Sequence, residues 1–115
     1  PKMPETVEAS ALKEMNRRGE IQNCLVEGPI SYDCAMSKEI ADIKGNQSEV
    51  TGEVDIMVTP NIHAGNIMGK MLTVTCKAKL AGMVAGAKCP IVLTSRGSSA
   101  EEKLLSIALC AASAQ

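Results

Sequence analysis

The sequence of 115 residues predicts an α/β layer fold with a mostly parallel sheet and one antiparallel strand. Helical and extended apolar patterns alternate along the chain, as crossover units require. The apolar runs Ala81 to Ala85 and Ile91 to Thr94 are separated only by Gly86-Ala87-Lys88-Cys89-Pro90. That connection is too short for a crossover helix, so these two runs pair as antiparallel neighbours. No Pro/Gly/Ser-rich linker, repeat or low-complexity tract intervenes, and 45% apolar residues fill one modest core, so residues 1–115 are expected to form a single compact unit.

Taken in order, Thr6 to Arg18 reads as a helix with Val7, Leu12 and Met15 inward and Gly19 as its stop. Cys24 to Val26 is a short strand closed by Glu27-Gly28-Pro29. A second helix is expected over Asp33 to Lys44, with Met36, Ile40 and Ile43 forming a buried stripe and Gly45 ending it. Val54 to Thr59 is the next strand, stopped by Pro60. Gly65 to Lys79 carries apolar or small residues at 67, 68, 71, 72, 75 and 76, a helix with one broad inward face. The hairpin runs follow, then a last helix from about Ser99 to Ala114. Leu104, Leu105, Ile107, Ala108, Leu109, Ala111 and Ala112 leave that helix almost no polar face, so it is expected to pack on another domain or subunit.

The chain opens with Pro1-Lys2-Met3-Pro4 directly ahead of a helix, whereas a crossover unit begins with a strand. It is therefore expected to be a piece of a longer protein, cut just after a strand. Its 12 Lys+Arg and 13 Asp+Glu nearly cancel, and Tyr32 is its one aromatic residue. Neither a basic field nor a stacking platform favours nucleic acid, and no long apolar span favours a membrane. The cysteines, Cys24, Cys34, Cys76, Cys89 and Cys110, are odd in number and form no CxxC pair. They read as small hydrophobes in a reducing cytoplasm.

In open α/β sheets ligands gather where strands exit into helix N-termini. Three exits carry distinctive chemistry: Glu27-Gly28-Pro29 to Tyr32-Asp33, Pro60 to Asn66, and Ser95 to Ser99. In the third, Gly97 lets the backbone approach a ligand, Ser95, Ser98 and Ser99 offer hydroxyls, and Arg96 offers a planar fork of donors for phosphate or carboxylate. A plain capping box, Ser98 or Ser99 with Glu101 or Glu102, accounts for the serines and leaves Arg96 unexplained. In the second, Pro60, Asn61, His63, Gly65 and Asn66 precede a helix bearing Lys70. "GNIMGKM" has three residues between its glycines and Met where Ser or Thr must hold magnesium, which rules out a P-loop.

These segments together, Glu27-Gly28-Pro29 with Asp33, Pro60 with Gly65-Asn66, and Ser95-Arg96, resemble the C-terminal portion of the phosphate acetyl/butyryltransferase family. The resemblance implies acyl transfer between coenzyme A and inorganic phosphate, with acyl-CoA and phosphate as partners, coenzyme A thioester as substrate and neither metal nor redox cofactor. It implies a three-layer α/β/α fold like the isocitrate and isopropylmalate dehydrogenases, in a two-domain, homo-oligomeric cytoplasmic enzyme with its site in the cleft. By the same resemblance Ser95, Arg96 and Glu102 are catalytic, with Glu102, or else Glu101, standing where the acetyl branch has an aspartate. Pro60, Gly65, Asn66, Lys70, Gly97 and Ser98 are expected to line the substrate. Two alternatives stand beside it: a non-catalytic acyl-CoA/phosphate-binding or assembly module, and a hydroxy-acid dehydrogenase of the same fold. The latter needs clustered aspartates, and Asp33, Asp42 and Asp55 are dispersed.

Overall fold

The computed structural model describes residues 3–114 and divides after Pro60 into two units, where the sequence predicts one. Pro1 and Lys2 of the opening stretch lie outside the described residues. Helix α1 spans Pro4–Arg17. It starts two residues before the expected Thr6 because proline is favourable in the first turn, where its missing N–H costs nothing. Glu5 in the first turn and Arg17 in the last complement the helix dipole. Val7 and Leu12 are exposed rather than inward, because the cover on α1 comes from the 21–28 segment, whose Gly28 lies against Ala9.

That segment bends through Asn23, at φ 61°, and is not a strand. The Asn16 amide donates to the carbonyls of Ile21 and Cys24, both at 2.9 Å, and its oxygen accepts the N–H of Val26 at 3.1 Å. One side chain thus satisfies backbone groups that a neighbouring strand would otherwise take. The expected Asp33 to Lys44 helix is broken into α2, Tyr32–Met36, and α3, Lys38–Ile43. Ser37 sits between them in extended conformation and its hydroxyl accepts the N–H of Ile40, restarting the helix. The break shifts the helical phase. Cys34, Ala35 and Ala41 are buried in place of the Met36 and Ile43 of the expected stripe, and Ile43 is 79% exposed.

Two carboxylates organise this unit. Asp33 accepts from Lys44 Nζ and Ser31 Oγ, each at 2.6 Å, and from the N–H of Cys34. The Lys44 bond, helped by Ser31, holds its carboxyl well below the usual range. Glu27 accepts from Lys13 at 2.6 Å, Ser48 at 2.9 Å and its neighbour's N–H on Gly28 at 3.0 Å. Partial burial pushes the Glu27 carboxyl up, but these donors outweigh it and leave it below its ordinary value. The expected strand Val54 to Thr59 forms no ladder, and Ile56 is 81% exposed.

In the second unit α4 spans Ile62–Lys70 and continues as a π-helical turn, Met71–Thr75. It begins before the expected Gly65 because the Asn61 side chain accepts the N–H of Ala64 at 3.0 Å and caps it. The widening at its end coincides with Thr73 Oγ1 bonding back to the carbonyls of Gly69 and Lys70. The hairpin is present as expected: β1, Met83–Val84, pairs antiparallel with β2, Ile91–Val92, in the register Met83 with Val92 and Val84 with Ile91. Helix α5 spans Ala100–Ser113 and packs on both strands. The mostly parallel, three-layer sheet is not found among the described residues, whose one sheet is this antiparallel pair. A strand needs a ladder partner for its backbone, and neither 24–26 nor 54–59 has one there.

The lowered carboxyl of Glu27 fixes a sign. A carboxylate whose folded value lies below its unfolded value of about 4.3 stabilises the fold above that pH and loses its contribution as pH falls through the lowered value. Melting midpoints should therefore fall between about pH 5 and about pH 3, and Glu27→Gln should flatten part of that slope. Parallel curves for the two proteins would show that Glu27 carries none of it.

Candidate functional site

The turn at Ser95 to Ser99 is built by the elements on either side of it. At the base of the hairpin the N–H of Leu93 donates to the carbonyl of Gly82 at 3.1 Å. A side chain at position 82 would collide with the Leu93 carbonyl, so glycine is required by this close approach. The N–H of Gly82 donates in turn to Ser106 Oγ at 3.0 Å, and that hydroxyl donates to the carbonyl of Glu102 at 2.7 Å. Ser106 thus ties α5 to Gly82, whose partner Leu93 lies two residues upstream of the turn.

The turn then closes on itself. Ser98 N–H donates to the Ser95 carbonyl, and Ser98 Oγ accepts the Ser95 N–H, both at 3.0 Å. Ser99 caps α5 in a capping box: its hydroxyl accepts the N–H of Glu102, and the Glu102 carboxylate accepts the N–H of Ser99 at 2.8 Å. Gly97 differs from Gly82. A Cβ there meets nothing within 4 Å and its φ lies outside the left-handed region, so the fold itself does not demand glycine.

Two cations stand at the turn, and the carboxylate that reaches it, Glu102, is engaged in the cap. Lys70, the last residue of α4, donates from Nζ to Ser95 Oγ at 3.4 Å. Arg96 is exposed, and among the described residues neither it nor Lys70 forms an ion pair. Glu101 is occupied by an ion pair with Lys79, whose amine is raised by that hydrogen bond, and Glu102 by the cap. The near-neutral total conceals this. Residues 61–115 hold six Lys and Arg against Glu101 and Glu102, while residues 1–60 hold six against eleven acids. Composition counted by segment shows the asymmetry that the whole-chain balance hides.

The structure brings Lys70, Ser95, Arg96, Gly97 and Ser98 together, with Glu102 one helical turn into α5. Gly65 and Asn66 lie within α4 rather than ahead of it, and no hydrogen bond joins them to the turn among the described residues. Lys70 ends that helix instead of standing in its second turn. Pro60 closes the first unit. There, Glu27 and Gly28 line an open groove of about 750 Å³ together with Lys13, Arg17, Gln47 and Ser48. Among the described residues no group of three or more His, Cys, Asp or Glu side chains is placed to hold a metal, and no helix is long and apolar enough to cross a membrane. Ser106 and Lys79 were not marked by motif. The one available signal was a serine set in the apolar run "LLSIALC".

Comparison with known proteins gives consistent matches. Residues 1–111 match the sequence model of the phosphate acetyl/butaryl transferase family. A phosphate acetyltransferase of Thermotoga maritima is 50% identical over 111 residues, covering 96% of this chain and 38% of the relative. A phosphate butyryltransferase of Clostridium acetobutylicum is 49% identical, covering 96% of this chain and 37% of the relative. The crystal structure of a branched-chain phosphotransacylase from Enterococcus faecalis superposes with a TM-score of 0.81 at 38% identity, covering 96% of this chain and 40% of that one. The chain therefore spans less than half the length of these relatives.

The two glycines can be told apart by thermal melts. Gly82→Ala should cost about 1 to 3 kcal/mol, because backbone must move to admit the methyl group. Gly97→Ala should stay within about 0.5 kcal/mol of the parent. A melt lowered equally by both would show that Gly97 is structural.

Proposed function

The chain belongs to the phosphate acetyl/butaryl transferase family, and on that premise we propose that it forms one wall of an enzyme moving a short acyl group between coenzyme A and inorganic phosphate. The observation that carries this is the juxtaposition of Lys70 and the Ser95-Arg96 turn, where neither cation has a carboxylate partner among the described residues. Unpartnered cations beside a hydroxyl and a sterically dispensable glycine suit an anionic, phosphate-bearing substrate.

In the direction that consumes acyl phosphate, the coenzyme A sulfur attacks the acyl carbonyl. The C–S bond forms, the bond to the phosphate oxygen breaks, and phosphate leaves with the electron pair. Arg96 neutralises the phosphate through its fork of donors, and the Ser95 hydroxyl donates to the charge that develops on the carbonyl oxygen. A thiol is only a few per cent ionised at neutral pH, so a base helps. Glu102 is the proposed acceptor of that proton: one of its carboxylate oxygens holds the cap, and the other makes no hydrogen bond among the described residues. Gly97 admits the substrate close to the backbone, and Ser98 keeps the turn closed. Pro60, Gly65 and Asn66 line the cleft on the family resemblance alone.

The remaining length of the parent supplies the second wall and the strands against which residues 54–59 complete a parallel sheet in three layers. The enzyme works in the cytoplasm as a homo-oligomer, without metal or redox cofactor. Leu104 and Ile107 of α5 are 66% and 56% exposed here, an apolar surface that the rest of the assembly covers. Expressed alone, the 115 residues should self-associate in sedimentation and show negligible turnover, since one wall excludes little water. A strictly monomeric chain at high concentration, or full turnover by it, would contradict this boundary.

Arg96→Lys in the parent is the sharper test. A lysine offers a mobile point charge where the guanidinium offers donors fixed in a plane. Turnover should fall about 10²- to 10³-fold, roughly 3 to 4 kcal/mol, with an unchanged melt. Turnover near the parent value would reduce Arg96 to an exposed turn residue.

A further inference from the structure

We propose that Lys70 is a self-acylation site, modified by the acyl phosphate that the enzyme handles, and this rests on the acyl-transfer reading given above. An acyl phosphate is an activated acyl donor, and Ser95 and Arg96 hold it where its carbonyl carbon is to be attacked. Lys70 Nζ stands 3.4 Å from Ser95 Oγ. It is the one lysine of the second unit whose side-chain amine hydrogen-bonds to the turn among the described residues. Its side chain is also unencumbered: Lys13, Lys38, Lys44 and Lys79 are held by Glu27, Asp42, Asp33 and Glu101, while Lys70 has no such partner there.

The step balances without any further reactant. The neutral Lys70 amine attacks the acyl carbonyl, a C–N bond forms, and the C–O bond to phosphorus breaks. Inorganic phosphate leaves with the electron pair, and the surplus amine proton passes to it or to solvent. The product is an amide, which a thiol does not readily reverse. It replaces a cation beside Ser95 with a neutral, bulkier group, so an enzyme that accumulates acyl phosphate loses the charge that holds phosphate. Lys70 is thereby a brake on the production of its own acylating agent.

Lys77, Lys88 and Lys103 are built-in controls, since among the described residues they also lack ion pairs yet their side-chain amines make no hydrogen bond to the turn. The parent enzyme is incubated with acetyl phosphate, and initial rates of acetylation at the four lysines are read by peptide mass spectrometry, with turnover measured on the same preparation. Lys70 should label at least about tenfold faster than the other three, a modest share of what proximity can supply. Its rate should saturate with acetyl phosphate and fall with added inorganic phosphate. Activity should decline in step with the Lys70 adduct, and Lys70→Arg should abolish that time-dependent decline. Turnover with equal labelling at all four lysines, or unsaturable labelling at Lys70, would overturn the inference while leaving acyl transfer standing. No turnover together with uniform labelling would overturn both.

Discussion

The Ser106 hydroxyl, in a residue only 2% exposed, accepts the N–H of Gly82 and donates to the carbonyl of Glu102. Everything at the candidate site depends on that buried bridge. It fixes one hairpin strand to the first turn of α5, and Gly82 passes the constraint across to Leu93 through the paired N–H and carbonyl. The chain from Leu93 to Ser99 is thus held at both ends, and the Ser95–Ser98 hydrogen bonds close what lies between. A turn so tethered presents Arg96 from a fixed backbone, which is what a preorganised anion contact requires. A buried donor left without its partner costs about 1 to 3 kcal/mol, so the bridge is energetically significant in a unit with few fully buried residues.

The parts of the fold legible in the sequence are those governed by local rules. The short Gly86 to Pro90 connection was enough to pair β1 with β2, and Ser99 with Glu102 was enough to start α5. Where the outcome depended on distant partners, the pattern misled. Residues 24–26 have a strand's composition, but Asn16 takes their backbone groups. Val54 to Thr59 has it too, and finds no ladder among the described residues. The Met36, Ile40, Ile43 stripe assumed an unbroken helix, and one capping serine at 37 changed its phase.

The candidate site was legible for a different reason. Arg96 stood out because capping chemistry explains its serine neighbours and leaves the arginine over. The structure realises the capping box and leaves Arg96 without an ion-pair partner among the described residues, so capping accounts for the serines and not for the arginine. What no motif offered was the approach of Lys70 to Ser95, residues 25 positions apart. That contact depends on where α4 ends, and α4 begins three residues before the expected Gly65 and has Lys70 as its final residue.

The central claim is that the Lys70 and Ser95-Arg96 cluster binds the anionic groups of the substrates, and amide-resolved NMR of the chain titrated with coenzyme A and, separately, with inorganic phosphate tests it most directly. The account predicts saturable shifts at Ser95, Arg96, Gly97 and Ser98 with both ligands. Shifts confined to the groove around Lys13 and Arg17, with residues 95–98 unmoved at saturation, would contradict it.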